Sequence, residues 1–354
     1  MEIRLYKNSD RAAWDDYVMG HGNGTFFHLT GWKRLVEKSF GHKSYYLLAV
    51  SREGSSTSPS ASSGSKIFGV FPLFSVKSPL FGCSMVSVPF ATYGGILADN
   101  EEVRDTLYQS AVRLTRMEAL AYLEIRSEEH RLGDLPVKDL YYGFKKEISN
   151  DNEENLKAIP RKTRRMVRRG MGYGLHAVFG GQEFLDQFYD IFAYSYHGFG
   201  TPVFSKKYLE NILERFTNDA SVLIISKNGK PLSAVLSFYF KDQVIPYYSG
   251  AYPDARKYAA NDYLYWVLMS DATDRGCTMF DFGRSKKDTG PYHFKRHWGF
   301  EPRPLPYQYY LNNIQELPNI SPANPRYKRH IEFWKRLPLW ATKLIGPRIV
   351  KYIP

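Results

Sequence analysis

Cysteine is nearly absent from this chain. Cys83 and Cys277 are the two in 354 residues, which excludes a disulfide framework and any cysteine-based zinc motif. A reducing compartment is expected. Long apolar runs are missing too: no stretch approaches the roughly 18 uninterrupted apolar residues that a spanning helix needs. The opening MEIRLYKNSDRAAWDDY carries charge from its second residue and has no apolar core of signal-peptide length, so a cytoplasmic protein is expected. Acids are in deficit, 36 against 48 Lys and Arg, for a formal charge of +12. Such a surface attracts phosphate-bearing ligands, nucleic acid or anionic lipid without defining a fold. Also lacking are a Ser/His/Asp constellation, H-E-x-x-H, a Walker motif and a dinucleotide fingerprint. His293 and His297 stand four apart with no third ligand in view, so no metal is expected.

What is present is a large stock of aromatic residues, 27 Tyr and 23 Phe, enough both to fill cores and to line a groove. The length suggests two domains. SREGSSTSPSASSGS, residues 51–65, lies between strand-like runs and buries too little apolar surface to order, so it is expected to be a disordered insertion in a hairpin. After it come SMVSVPF, the loop ATYGGILADN, a helix from Glu101 to about Leu120 and the strand AYLEIR. The second half repeats that order: ASVLIIS, KPLSAVLSFYF and QVIPYYSG, the loop AYPDARKYAA, a helix from Asn261 to Arg275, and TMFDFG. This predicts an α/β protein with mixed sheets and a duplicated unit. The expected division is a first domain over 1–149, a second over 150–316, opening with helices near 183–196 and 206–216, and a tail over 317–354.

Positive charge gathers in several places. DNEENLKAIPRKTRRMVRRGMGYG turns basic after Pro160, with six cations between Arg161 and Arg169. A helix ending at Gly170 would align Arg161, Arg164, Arg165 and Arg168 as a phosphate-neutralising strip. RGMGYG matches a pyrophosphate-cradling pattern, but it follows a helix where that chemistry needs a preceding strand, so a helix cap is expected. The loop in the right place, GAYPDARKYAAND, offers Arg256 and Lys257 to a donor's phosphates but no glycine nest. FDFGRSKKDTGPYHFKRHWGF sets Arg284, Lys286, Lys287, Lys295 and Arg296 among aromatic residues. In the tail, Trp334, Leu337, Trp340, Leu344 and Ile345 alternate with Lys and Arg. That pattern fits docking on anionic lipid at the inner face of the cytoplasmic membrane. The alternative is a helix that caps the first domain.

Together TFFHLTGW, the basic helix, LSFYFKDQVIPYYSGAY, the FDFG segment and PLPYQYYL resemble the FemAB family, and more narrowly its members at PEP-CTERM and exosortase exopolysaccharide loci. The resemblance implies tandem GNAT-like acyltransferase domains. It implies transfer of an activated acyl group, from acyl-CoA or aminoacyl-tRNA rather than a tightly bound cofactor, onto an amine of an anionic envelope precursor such as one for peptidoglycan or exopolysaccharide. The family's Phe-Lys pair corresponds to Phe294 and Lys295, the lysine stabilising charge on the acyl ester. Its strand tyrosine corresponds to Tyr248, and its diphosphate-gripping residue to Lys33 or Arg34. Asp281 alternates with Phe280 and Phe282, placing it to orient Lys295 or accept the amine's proton; a solubilising edge carboxylate is the other reading. Two non-enzymatic functions fit the same charge: a tRNA or nucleic-acid binder, and a membrane-peripheral scaffold for exopolysaccharide assembly.

Overall fold

The computed structural model describes residues 1–51, 66–79, 81–128, 132–319 and 327–353; most of the serine-rich insertion lies outside them. Along the chain run β1 (Glu2–Leu5), α1 (Arg11–Gly20), α2 (Thr30–Phe40), β2 (Lys43–Ser44), β3 (Leu47–Val50), β4 (Ile67–Phe71), β5 (Phe74–Ser78), β6 (Gly82–Val86), β7 (Leu97–Ala98), α3 (Glu101–Met117), β8 (Tyr122–Arg126) and β9 (Val137–Lys138). There follow β10 (Tyr141–Glu147), α4 (Asn152–Ala158), α5 (Arg161–Met171), β11 (His176–Gly180), α6 (Leu185–Phe199), α7 (Lys206–Arg215), β12 (Ala220–Lys227), β13 (Lys230–Phe240) and β14 (Gln243–Ala251). The remainder is α8 (Ala260–Asp274), β15 (Met279–Lys286), α9 (Gly290–His297), β16 (Arg303–Pro304), β17 (Tyr307–Leu311), α10 (Lys328–Arg336) and α11 (Leu339–Val350).

Two compact units result. One comprises Met1–Asp139, Leu305–Ile320 and Tyr352–Pro354, the other Leu140–Pro304 and Ser321–Lys351. The change of unit falls at 139/140, ahead of the composition shift at Asn150, because β10 is laddered antiparallel to β15 from Tyr141↔Lys286 to Glu147↔Met279. Residues 305–320 return to the first unit because β17 pairs with both β8 and β9.

The first unit holds sheets of order β1-β3-β4-β7 and β2-β5-β6-β8-β17-β9. Asn100 caps α3, its side chain accepting from the Val103 amide at 3.0 Å, and Glu101 and Glu102 suit the positive end of the helix dipole. Val103, Leu107 and Ala111, spaced by four, then face a core of Leu47, Phe71, Leu123 and Ile125. α3 is the crossover between β6 and β8, which pair in parallel.

The second unit is built on one sheet, β11-β12-β13-β14-β15-β10-β16. Here α8 is the crossover, and β14 and β15 are the parallel pair. Each unit therefore runs antiparallel pair, crossover helix, parallel strand: β5, β6, α3, β8 in one and β13, β14, α8, β15 in the other. The duplicated order expected from sequence is the order found.

Local details differ from expectation. The stretch after Asn150 is two helices, because Pro160 cannot continue α4 and instead sits at the N-cap of α5. Gly170 lies inside α5 rather than ending it. A Cβ there would come 2.7 Å from the Tyr263 Cβ and 3.2 Å from the Ala259 carbonyl, so the glycine lets α5 close on α8. β15 does not break at Gly283 but passes through it with φ 64°, a left-handed conformation favouring glycine. Of the tail, α10 and α11 lie against α6 of the second unit.

Candidate functional site

The parallel pair in the second unit is laddered only at Gln243↔Met279 and Val244↔Phe280. Beyond those rungs β14 continues with β13 alone and β15 with β10 alone. The two strands therefore part after Val244 and Phe280, and Asp281, Gly283 and Arg284 follow on the β15 side.

Asp281 is fully buried (0%), which removes the reading of it as a solubilising edge carboxylate. Its Oδ1 accepts from the Gly283 amide at 2.7 Å, and its Oδ2 lies 3.6 Å from Lys145 Nζ on β10. The aromatic segment that carries Lys295 is the helix α9. Thr289 precedes it and Pro291 sits in its first turn, a position where the missing amide proton has no intrahelical partner to lose. The helix fixes Lys295 with 8% exposure. Its ammonium donates to the carbonyls of Arg284 at 3.0 Å and Gly283 at 3.4 Å and stands 5.2 Å from the Phe144 ring centroid. It forms no ion pair among the described residues. Burial pushes this lysine down to about 7; Asp281 opposes that shift and the Arg284 charge adds to it. Phe294 packs against Tyr265 and Phe282.

The other predicted residues are distributed as follows. Arg284 stacks its guanidinium 4.4 Å from the Tyr141 ring, and Lys286 and Lys287 approach Tyr141 and Tyr142. Tyr248 on β14 is buried, its hydroxyl 3.1 Å from that of Tyr208, and burial raises its pKa well above the ordinary phenol. It is a core phenol with a paired hydroxyl. On α5, Arg161, Arg165 and Arg168 are exposed, joined by Lys162 and Arg169. Arg164 is set apart, since its guanidinium donates to the Lys157 carbonyl at 2.6 Å. The start of α5 reaches α9 directly through Thr163 Oγ1, which donates to the His297 carbonyl at 2.6 Å. Arg256 and Lys257 are exposed beyond β14. Lys33 and Arg34 belong to the first unit: Lys33 pairs with Glu37 at 2.7 Å, and Arg34 hydrogen-bonds Tyr6.

Sequence reasoning missed three residues here. Phe144 and Lys145 lie on a strand that the composition shift at Asn150 assigned to the other half. Tyr265, on α8, donates its hydroxyl to Ser249 of β14 at 3.1 Å while its ring lies 5.0 Å from Phe282 of β15. It spans the two strands that separate. Its only sequence signal was helical position, one turn into the crossover helix.

Residues 155–296 match the sequence model of the acetyltransferase (GNAT) domain, and the architecture is that of tandem GNAT-like domains. The chain is similar in structure to FemX, with TM-score 0.66, 17% identity, and 94% of this chain and 100% of that one covered. It is similar to the C-terminal domain of a putative lysylphosphatidylglycerol synthetase from Agrobacterium fabrum, with TM-score 0.55, 14% identity, and coverage of 86% and 92%. A tandem GNAT protein from the clavulanic acid biosynthesis pathway aligns with TM-score 0.54, 10% identity, and coverage of 89% and 99%. No curated protein sequence matches at a significant level. Among the described residues, no helix is long and apolar enough to cross a membrane.

Proposed function

We propose that this protein is a FemAB-type N-acyltransferase that moves an activated acyl group onto an amine of an anionic cell-envelope precursor, for peptidoglycan or exopolysaccharide, at the cytoplasmic side of the membrane. The observation that carries the reading is Lys295: a buried ammonium with no ion-pair partner among the described residues, held by two backbone carbonyls beside the separated parallel strands. An amine attacking an acyl ester forms a C–N bond and places negative charge on the carbonyl oxygen. As the tetrahedral species collapses, the C–O or C–S bond breaks, the charge passes to the leaving oxygen or sulfur, and the proton lost by the amine ends on that atom. A fixed cation in a site of low dielectric stabilises both stages, and binding beside the parted strands supplies the proximity. Asp281 fixes the strand backbone at Gly283 through its amide, and so positions the carbonyls that bind Lys295.

Of the two donor classes, aminoacyl-tRNA is better supported than coenzyme A. α5 exposes Arg161, Lys162, Arg165, Arg168 and Arg169 with no ion pair to any of them among the described residues, a surface suited to a polyanion. The same helix closes on the first turn of α8 at Gly170, where a pyrophosphate would meet the helix N-terminal amides. The resemblance of FDFGRSKKDTGPYHFKRHWGF to the FemAB family points the same way, and Lys33 or Arg34 is proposed to contact the acceptor's phosphates. The test is transfer from a panel of charged tRNAs and acyl-CoA thioesters to amine-bearing precursors, with Lys295→Ala beside wild type. Turnover that is lost while donor binding persists is the expected result. Tight, salt-sensitive tRNA binding with no turnover on any acceptor would favour the second reading, a nucleic-acid binder using the α5 surface.

A further inference from the structure

The C-terminal helices have two unlike faces. Inward, Trp334, Ala341, Thr342, Gly346 and Val350 are buried. The bend between α10 and α11 is fixed by His197 Nε2 against the Leu337 carbonyl at 2.8 Å, and Lys343 pairs with Asp190 of α6 at 2.6 Å. The fit is close: a Cβ at Gly346 would lie 2.9 Å from the Val203 amide nitrogen, and one at Gly200 would lie 2.5 Å from Ile331. Outward, Phe333 is 65% exposed, Trp340 70% and Leu344 60%, with Ile345 beside them. Trp340 and Leu344 are one turn apart on α11, on the side away from its buried residues. On the same two helices Lys328, Arg329, Lys335, Arg336 and Arg348 are exposed, and Glu332 is the single acid between 328 and 351.

We propose that this outer face is a docking surface for an anionic lipid bilayer. Its chemistry selects that occupant. Phe, Trp and Leu side chains enter the boundary between headgroups and acyl chains, while the surrounding cations meet lipid phosphates. A second copy of the chain would bring like charge against like charge. A nucleic acid would match the cations but leave Leu344 and Ile345 in water. The inward residues already hold the helices in a docked geometry, so the surface is presented without a folding step. The proposal extends beyond the transfer reaction and does not depend on it.

Flotation of the full chain with vesicles tests it, using phosphatidylcholine alone and an equal mixture of phosphatidylcholine and phosphatidylglycerol. Binding to the mixed vesicles is expected, weakened by salt and absent with phosphatidylcholine alone. Trp340→Ala with Leu344→Ala, and separately Lys335→Glu with Arg336→Glu, are each expected to lower partitioning about tenfold or more. All four side chains are exposed, so circular dichroism should be unchanged, and transfer to a soluble acceptor should persist in both variants. A chain that stays in solution with anionic vesicles overturns the proposal, as does binding unchanged by both double variants. A concentration-dependent dimer abolished by the Trp340/Leu344 variant would do so as well, by identifying a second copy as the occupant.

Discussion

The two units share an order of strands and a crossover helix but place their buried cations differently. In the first, Arg126 at the end of β8 is 2% exposed. It donates to Glu124 at 2.7 Å and to the carbonyls of Val88 and Ala91, both at 3.0 Å, so it knits the loop after β6 to the strand beside it. In the second, Lys295 beside β15 has carbonyl partners but, among the described residues, no carboxylate in ion-pair range, and its charge is costly enough to bring it to about 7. A satisfied buried ion pair is structural. A buried ammonium poised near neutrality is available for chemistry.

That contrast can be broken from either side. The largest effect is expected for Arg126→Met, which leaves Glu124 and two carbonyls without their donor and should cost about 3–5 kcal/mol of stability, measured by denaturant unfolding. A loss below about 1 kcal/mol would mean that the arginine does not hold this loop to its strand. Next comes Lys295→Met. Transfer should fall about 10²–10³-fold in kcat, yet the fold should gain stability below pH 7. The sign follows from linkage: the folded-state value of about 7 lies beneath the ordinary 10.5. The unfolded chain therefore binds more protons between those values, and the lysine's destabilisation is full below about pH 7 and relieved as pH rises toward 10.5. Wild-type thermal melts followed across that range should show a rise in stability that Lys295→Met lacks.

A smaller effect concerns the packing of α5 on α8. Gly170→Ala forces a methyl against Tyr263 and the Ala259 carbonyl and should cost about 1–3 kcal/mol, whereas a terminal cap glycine would lose far less. Smallest is Arg165→Ala with Arg168→Ala. Stability should change by less than about 0.5 kcal/mol, while tRNA affinity falls and the slope of log affinity against log salt shrinks by about 1 for each phosphate that is no longer neutralised. An unchanged slope would remove α5 from the donor surface.

Much of the fold was legible in the sequence. The helices expected near 101–120, 183–196, 206–216 and 261–275 are α3, α6, α7 and α8, and the repeated order of elements gave the duplication. The basic strip on α5 was visible as charge, and Lys295 was singled out by the resemblance of Phe294 and Lys295 to the FemAB family's Phe-Lys pair. Less legible was anything that depends on a partner distant in sequence. Phe144 reaches Lys295 only because β10 pairs with β15, and β17 joins the first unit's sheet nearly two hundred residues after β8. Arg164 shares its helix face with Arg161 and Arg168 by spacing, but the end of α4 takes its guanidinium.

The sequence by itself determined the local conformations and the distribution of charge, because helix period, proline, glycine and capping residues act over a few neighbours. Only the tertiary structure decided which cations are satisfied, which strands separate, and which apolar residues of the tail face water. Each of those depends on the field and the packing that distant segments bring to a side chain. Trp334 and Trp340 stand six residues apart in the same basic stretch, and packing on α6 buries the first while leaving the second exposed.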